Sequence, residues 1–575
     1  MNEPEPTSDR CSGDDQAEQS RSNVRDGNVA SRLTLVATLM PSAVSIAESN
    51  GTVGSGGQRG YSLTTFENLD QRSTDIAKGL LAWGVKPGMR IGMLVPFSAS
   101  FIELVFALLK TGVVVILIDP GIGRKHLVRC LSDAKPDGFV GIPKAQAIRT
   151  VLRRRFPDAR WNVTVGKRYC WGGKTLDQII QLGKGSDVEL PMIQRPDPAA
   201  IIFTTGSTGP PKGVQYTHGT FHAQIDRIRE RYDIHRGSRD LACFPLFGLF
   251  DAVMGVTTII PDMDPTKPAE VNTQRLIDAS EDWEFDQAFG SPALWNTVIR
   301  WCQQNQVKNP FPHLRRVLSA GAPVPAATMA ALRELLDEDA KIYTPYGATE
   351  ALPIASIESR QVISETGPAT AKGKGVCVGN RFEGVQWKVI RVDDGPLDSI
   401  DQIEELPQGK IGELMVSGPM VTRQYVVRAD QNAMHKVADG DRVWHRMGDV
   451  GYLDPQDRFW FCGRKAHRVT KGKKAWYTVP CEAVFNAHPS VYRSALVGRG
   501  QPGDQQPVIM VELYPEKQPA DEPAQQALIA ELQTLAKRNP LTQSIDEIIL
   551  RQEPLPVDIR HNSKIFRERL AAELQ

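Results

Sequence analysis

Ile201-Ile202-Phe203-Thr204-Thr205-Gly206-Ser207-Thr208-Gly209-Pro210-Pro211-Lys212-Gly213 decides how the rest of the chain is read. Its apolar front end, from Ala199 to Phe203, reads as a buried strand. A turn of hydroxyls, glycines, two prolines and one lysine follows. Glycines let backbone N–H groups turn toward an anion. Hydroxyls add donors, and Lys212 adds a point charge. The set suits a polyphosphate. It is not a Walker A loop, because Pro211 stands at the second glycine of G-x-x-x-x-G-K-[ST] and Gly213 at its magnesium-holding Ser/Thr. A P-loop kinase or NTPase is therefore disfavoured.

Working outward, the 575 residues leave room for several domains and a large core. Lys+Arg 68 against Asp+Glu 67 gives a net charge of +1, so nothing global favours nucleic acid or an anionic membrane as partner. The 8 cysteines are scattered with no C-x-x-C pair, which implies neither a zinc site nor a disulfide framework and fits a cytoplasmic setting. Residues 1–30 are polar, lack an apolar signal core and read as a disordered tail. The most apolar stretch, Phe101 to Ile118, carries Glu103 and Lys110. It falls short of the about 20 mostly apolar residues of a membrane span, so it reads as buried core.

Upstream of the loop, Phe66, Leu69, Ile76, Leu80 and Trp83 sit at helical spacing, and Lys86-Pro87-Gly88 closes that helix. Arg90–Val95 and Val113–Ile118 read as strands around a helix over Phe101–Lys110. This alternation implies βαβ units and a parallel sheet, an α/β fold. Arg153-Arg154-Arg155 reads as a solvated helix face. Downstream, Phe221, Ile225, Ile228 and Tyr232 mark an amphipathic helix. Cys243–Asp251 is too apolar for a surface loop and is either core or the wall of an apolar pocket through Phe247 and Phe250. Gly290 precedes a helix with Ser291 as cap and Pro292 in its first turn. The end of the chain has its own pattern: strands at Ser494–Val497, Val508–Leu513 and Ile548–Leu550, and a helix stripe of Leu528, Leu532 and Leu535.

Three further motifs stand in order behind the loop. Val317–Pro323 reads as a strand running into the loop Gly321, Ala322, Pro323. In Tyr346-Gly347-Ala348-Thr349-Glu350, an aromatic beside glycine offers a flat face to a base, Thr349 can donate to a phosphate, and Glu350 is the hard oxygen ligand magnesium shares with nucleotide phosphates. In Gly448-Asp449-Val450-Gly451, Asp449 can accept two hydrogen bonds at once.

The loop with these motifs resembles the adenylate-forming superfamily of acyl-CoA synthetases, luciferases and peptide-synthetase adenylation domains. The resemblance implies a large AMP-binding domain of βα-type sheets over residues 31–462 and a smaller, mobile α+β lid domain over 463–575. It implies ATP held by Thr204, Thr205, Gly206, Ser207, Thr208, Gly209, Lys212, Gly321, Ala322, Pro323, Tyr346, Gly347 and Thr349, with Asp449 and Arg464 at the ribose and Mg2+ on Glu350. It further implies an acyl pocket at Phe247, Phe250 and Gly290, and a catalytic Lys564 on the lid, here preceded by Ser563 where the family usually has glycine.

Attack of a carboxylate on the α-phosphate expels pyrophosphate and leaves an acyl-adenylate, and the positive groups cancel the charge that develops on phosphorus. The second step depends on the acceptor. The hinge Lys465-Ala466-His467-Arg468-Val469 and the long loop up to Pro480 depart from the thioester-forming pattern. Gly166–Gly173, Leu246–Asp251, Ile260–Pro265, Thr344–Pro353, His445–Tyr452 and Arg560–Lys564 resemble the OleC-type β-lactone synthetases of bacterial hydrocarbon biosynthesis. That branch implies a long-chain 2-alkyl-3-hydroxy fatty acid whose own hydroxyl attacks the adenylate carbonyl. The alternative is a long-chain acyl-CoA or acyl-AMP ligase, and a third reading is a nucleotide-binding scaffold. His445 and His467 lie near the hinge as candidate bases, though a structural role is the simpler reading of both. Association with other enzymes of the same pathway stays open.

Overall fold

The computed structural model describes residues 27–53, 59–204, 209–557 and 565–575. Two large sheets form its main body, and each changes from parallel to antiparallel pairing at a hairpin. In the eight-stranded sheet, Arg90–Leu94, Val114–Leu117, Gly138–Gly141, Trp161–Thr164 and Pro198–Phe203 pair in parallel, and Pro198–Phe203 then pairs antiparallel with Gly213–Thr217. In the fourteen-stranded sheet, Val44–Val53, Thr257–Ile260, Arg239–Ala242, Gln287–Gly290, Arg316–Ser319 and Lys341–Ala348 are parallel neighbours. The hairpin Lys341–Ala348 to Ala351–Glu358 begins its antiparallel half.

The βα alternation has local causes. Ser98, Thr217 and Ser291 each accept a backbone N–H at the start of a helix, over Ala99–Lys110, His218–Tyr232 and Pro292–Asn305. The helix Phe66–Ala82 buries Phe66, Leu69, Ile76 and Leu80, the expected stripe. Phe101–Leu109 is core on every side, and no helix among the described residues is long and apolar enough to cross a membrane. Cys243–Asp251 resolves into the helix Pro245–Met254, closed by Gly255 at φ 77°. Arg153–Arg155 forms a single exposed 3-10 turn instead of a helix face.

Residues 27–30, which the sequence assigns to the tail, are packed in the core. Asn28 Nδ2 donates to the Leu109 carbonyl at 2.7 Å, and the Val29 amide to His218 Nδ1 at 3.1 Å. The polar composition of the N-terminus hides this anchor, because its apolar part is only Val29 and Ala30. Residues 31–60, ambiguous in the sequence, supply the helix Ser31–Leu39 and the strand Val44–Val53.

After Arg464 the chain builds a smaller unit. Val491–Arg499 and Gln506–Leu513 pair antiparallel, and Glu547–Arg551 adds in parallel. The helices Thr478–Asn486 and Glu522–Lys537 cover this three-stranded sheet around Phe485, Leu496, Ile509 and Leu532. A ribbon of Val469–Lys471 and Lys474–Trp476 leads into it.

Candidate active site

The turns of the two hairpins meet. Thr204 and Lys212 close the neck of the phosphate loop, Thr204 N donating to the Lys212 carbonyl at 3.0 Å and Lys212 N to Thr204 Oγ1 at 3.1 Å. Lys212 Nζ lies 3.6 Å from Glu350 Oε1 in the other turn. Tyr216, on the strand that leaves the loop, donates its hydroxyl to the Thr349 carbonyl at 2.6 Å. Ligands of α/β folds bind where such strands end and the strand order switches, and here two switch points face each other.

Four residues that the sequence reading passed over complete this cluster: Thr422, Tyr425, His435 and Lys436. Tyr425, on the strand beside Gly213–Thr217, donates to Glu350 Oε1 at 2.6 Å, and its ring lies 4.8 Å under Lys212 Nζ. Thr422 N and Oγ1 donate to the Glu350 carbonyl at 2.9 and 2.8 Å. Lys436 Nζ donates to the Thr422 carbonyl at 2.5 Å. His435 Nε2 is 3.4 Å from Lys212 Nζ. The short strand Tyr425–Val427, with its one aromatic residue, followed by adjacent basic residues at 435 and 436 was the available signal.

Electrostatics keep this centre charged where it counts. Burial works against the Glu350 carboxylate, but Lys212, the Tyr425 hydroxyl and Lys436 outweigh it and hold its pKa below the usual value. Burial lowers the Lys212 pKa, and Glu350 pulls it back. Burial brings Lys436 down to about 7, and burial with Lys212 brings His435 down to about 4, which leaves that imidazole neutral.

The second half of the site is built by strand register. Asp449 pairs with Arg464 across Arg442–Leu453 and Arg458–Arg464. Arg464 Nη1 donates to Asp449 Oδ1 at 2.7 Å, and the Tyr346 hydroxyl to Asp449 Oδ2 at 2.5 Å. Asp449 above all raises the Arg464 pKa, and burial followed by Asp449 raises that of Tyr346. Each carboxylate oxygen keeps a second lone pair for a hydroxyl donor. Gly347 leaves no room for a side chain, since a Cβ there would stand 2.6 Å from the Ala351 carbonyl. Gly321, with φ 97°, and Ala322 and Pro323 leave the sheet at the carboxyl edge of Arg316–Ser319, the parallel neighbour of Tyr346's strand.

The remaining expected residues are not all brought together. Phe247 and Phe250 meet edge to face at 6.1 Å, and while Phe250 lines an apolar cavity, Phe247 stacks on Phe289 at 3.8 Å. Gly290 adjoins that stack, and a Cβ on it would meet Trp295 at 2.8 Å. His445 is buried with Nδ1 3.1 Å from the His435 carbonyl, and His467 Nε2 is 3.2 Å from Glu568. Thr205, Gly206, Ser207, Thr208 and Lys564 lie outside the described residues, Lys564 just before Ile565, which bridges to Val557. The described residues hold no cluster of three or more His, Cys, Asp or Glu that would cage a metal. Their chemistry fits Mg2+ in its usual form, one carboxylate shared with substrate phosphates, and the ionised Glu350 offers such a carboxylate.

Residues 50–426 match the AMP-binding enzyme family. The chain is 44% identical over 554 residues to the olefin beta-lactone synthetase of Xanthomonas campestris pv. campestris, covering 95% of this chain and 97% of the relative. It is 43% identical to the olefin beta-lactone synthetase of Stenotrophomonas maltophilia, covering 95% and 98%. Among solved structures, the amide bond synthetase McbA from Marinactinospora thermotolerans superposes with a TM-score of 0.74 at 20% identity, covering 95% of this chain and 100% of McbA, a likeness of fold. With its two switch-point hairpins closed on each other, the chain belongs to the AMP-binding, adenylate-forming enzymes and, within them, to the olefin β-lactone synthetases.

Proposed function

We propose that this protein activates a long-chain 2-alkyl-3-hydroxy fatty acid with ATP and closes it to a β-lactone, releasing AMP and pyrophosphate. In the first step a carboxylate oxygen bonds to the α-phosphorus and the bond from that phosphorus to the pyrophosphate oxygen breaks. Lys212, braced by Glu350 and His435, lies at the neck of the loop that would face the phosphates. Asp449, presented by Arg464 and Tyr346, would accept from the ribose hydroxyls. Mg2+ bound at Glu350 would supply positive charge to the phosphates. Lys564, on the lid that the family resemblance implies, would bridge the carboxylate and the α-phosphate in the transition state.

In the second step the 3-hydroxyl oxygen bonds to the adenylate carbonyl carbon, the bond from that carbon to the phosphate oxygen of AMP breaks, and the hydroxyl proton passes to solvent. An internal nucleophile held in place has an effective concentration of order 10⁵ M or more, so no external acceptor is needed. The observation that carries this reading is the meeting of Lys212 and Glu350 across two hairpins, in a chain 44% identical over 95% of its length to an olefin β-lactone synthetase.

The test is product analysis with a 2-alkyl-3-hydroxy acid, ATP and Mg2+, with and without coenzyme A. β-Lactone and AMP formed without coenzyme A support it. A thioester formed only when coenzyme A is present, with no lactone, assigns the protein to the acyl-CoA ligases instead.

A further inference from the structure

Two stretches that stand out in the sequence take no part in the adenylation site: Arg153-Arg154-Arg155 and Gly166–Gly173. The fold joins them on one flank of the eight-stranded sheet, where Trp161–Thr164 and the last strand, Lys174–Thr175, lie. The helix Pro143–Val151 spans the distance between them. At its start, a Cβ on Gly166 would stand 3.9 Å from Pro143 Cγ, and past its end comes the exposed turn Arg153–Arg155. Gln146 fastens this helix to the sheet, its Nε2 donating to the Val163 carbonyl at 2.8 Å and to that of Phe139 at 3.3 Å. At about 3.6 residues per turn, Lys144, Ile148 and Val151 stand on the side opposite Gln146. Ile148 is 51% exposed, and Val151, at 83%, is the most exposed large apolar side chain among the described residues. Tyr169 is 63% exposed, and its ring meets that of Trp171 at 5.4 Å, with Trp171 Nε1 donating to Thr164 Oγ1 at 2.9 Å.

Positive charge is gathered on the same flank. Residues 143–175 hold nine Lys and Arg and one acid, Asp158, a net charge of +8 in a chain of net +1, so all other residues together carry −7. Among the described residues no carboxylate pairs with Lys144, Arg153, Arg154, Arg155 or Arg160. The helix Arg124–Asp133 meets this corner where Ser132 Oγ donates to the Arg155 carbonyl at 3.1 Å, and its Asp133 already pairs with Arg129 at 3.7 Å. A second copy of the chain would set +8 against +8. A nucleic acid would leave Ile148 and Val151 without an apolar partner. An anionic bilayer satisfies both: its phosphates take the guanidinium groups, and its acyl boundary takes the aliphatic and aromatic side chains.

We propose that this flank is a peripheral docking surface for an anionic lipid bilayer. Trp161–Thr164 and Pro198–Phe203 run parallel in one sheet, four strand spacings apart, about 19 Å. The loop Gly166–Gly173 and the phosphate loop therefore leave the same carboxyl edge, and docking holds that edge beside the layer in which long alkyl chains dissolve. The benefit of that placement rests on the proposed long-chain substrate; the docking itself does not.

The test is flotation of the full-length protein with vesicles of phosphatidylcholine containing about 40% phosphatidylglycerol, against phosphatidylcholine alone, at about 0.1 M and about 1 M salt. Wild type should float with the anionic vesicles at low salt, and stay behind with neutral vesicles or at high salt. Arg153→Gln, Arg154→Gln and Arg155→Gln together should weaken the apparent affinity about 100-fold, at about a factor of five for each charge near the surface. Ile148→Ser with Val151→Ser should weaken it about tenfold and leave the salt dependence in place. This second variant and the wild-type salt series carry the test where the arginine variant fails to fold. Equal flotation with neutral vesicles, no flotation at all, or anionic flotation untouched by the arginine variant overturns the docking surface. Wild type that shifts a duplex DNA and floats with neither vesicle makes the flank a nucleic-acid surface and overturns it too. Lactone formation is read separately, in solution, on a short-arm 2-alkyl-3-hydroxy acid. Its failure in wild type overturns the proposed reaction and leaves the flotation result standing.

Discussion

Glu350 and the pair Asp240–Asp251 are all buried carboxyls of the fourteen-stranded sheet and its covering helix, yet their surroundings push them in opposite directions. Around Glu350 stand Lys212, Lys436 and the Tyr425 hydroxyl, and the carboxylate is kept ionised. Around Asp240, in register with Thr258 and Gln287, stands a second carboxyl, Asp251 of the helix Pro245–Met254, and no described lysine or arginine pairs with either. Burial raises the Asp240 pKa to about 6, and burial with the Asp240 charge raises that of Asp251 well above the usual carboxylate range. Asp240 and Asp251 hold their protons more tightly than a solvated carboxyl does, where Glu350 keeps a charge. A buried carboxylate surrounded by cations keeps its charge; one that faces a second carboxyl between a helix and a sheet is cheaper to neutralise than to pair.

The contrast breaks first at Glu350. Glu350→Gln keeps the size and the Tyr425 contact but removes the charge that braces Lys212 and would hold Mg2+. Pyrophosphate release should fall on the order of 10²–10³-fold, the scale of a lost electrostatic group in a water-poor site. A variant with near wild-type turnover would make Glu350 no more functional than Asp240. Tyr425→Phe removes one hydrogen bond to a charged group, about 1.5–3 kcal/mol, so about 10–100-fold in kcat/KM with the Mg2+ requirement shifted upward. Asp449→Ala should act on a different parameter. It leaves Lys212 and Glu350 in place, so the KM for ATP should rise about tenfold with a smaller change in kcat, as for a lost binding contact. An equal fall in kcat would place Asp449 in the chemistry instead of at the ribose.

The two centres were unequally legible in the sequence. Strand, turn and helix signals led to the βα architecture and put Thr204–Lys212 on a turn, because glycine, proline and capping residues act locally, whereas Tyr346–Glu350 stood out as a motif and runs from the end of the strand Lys341–Ala348 into its turn. What sequence could not convey is contact between turns 138 residues apart. Tyr425, His435 and Lys436 belong to the cluster only because the strand Tyr425–Val427 pairs with Gly213–Thr217 across the phosphate loop. Asp240 is one of 67 acids in the sequence, and Asp251 closes the apolar stretch Cys243–Asp251 with nothing to mark the two as neighbours. Only the register of Asp240 with Thr258 and Gln287, and the helix above them, buries both. Val29 escaped notice for the same reason, a single apolar residue at the end of a polar stretch.

The smallest effect gives the sharpest view of the pair. A carboxyl whose folded pKa lies above its unfolded value binds its proton more tightly when folded, so stability is greatest at low pH and is lost as pH rises. For Asp240 that loss runs from about pH 4 to the folded value of about 6, and Asp251 extends it upward. Asp251→Asn is a permanent copy of the protonated partner: it donates to Asp240 at every pH and never ionises. Near pH 4 its melting temperature should equal wild type. By pH 8 the variant should melt higher by about 2–4 °C, a shift of order 1 kcal/mol for a large domain. Glu350→Gln should show the reverse trend, since a carboxylate with a depressed pKa contributes stability that is present above its unfolded pKa and disappears as pH falls. Two melting curves of the same slope against pH would mean that the cations around Glu350 and the second carboxyl at Asp240 do not set the protonation of these centres.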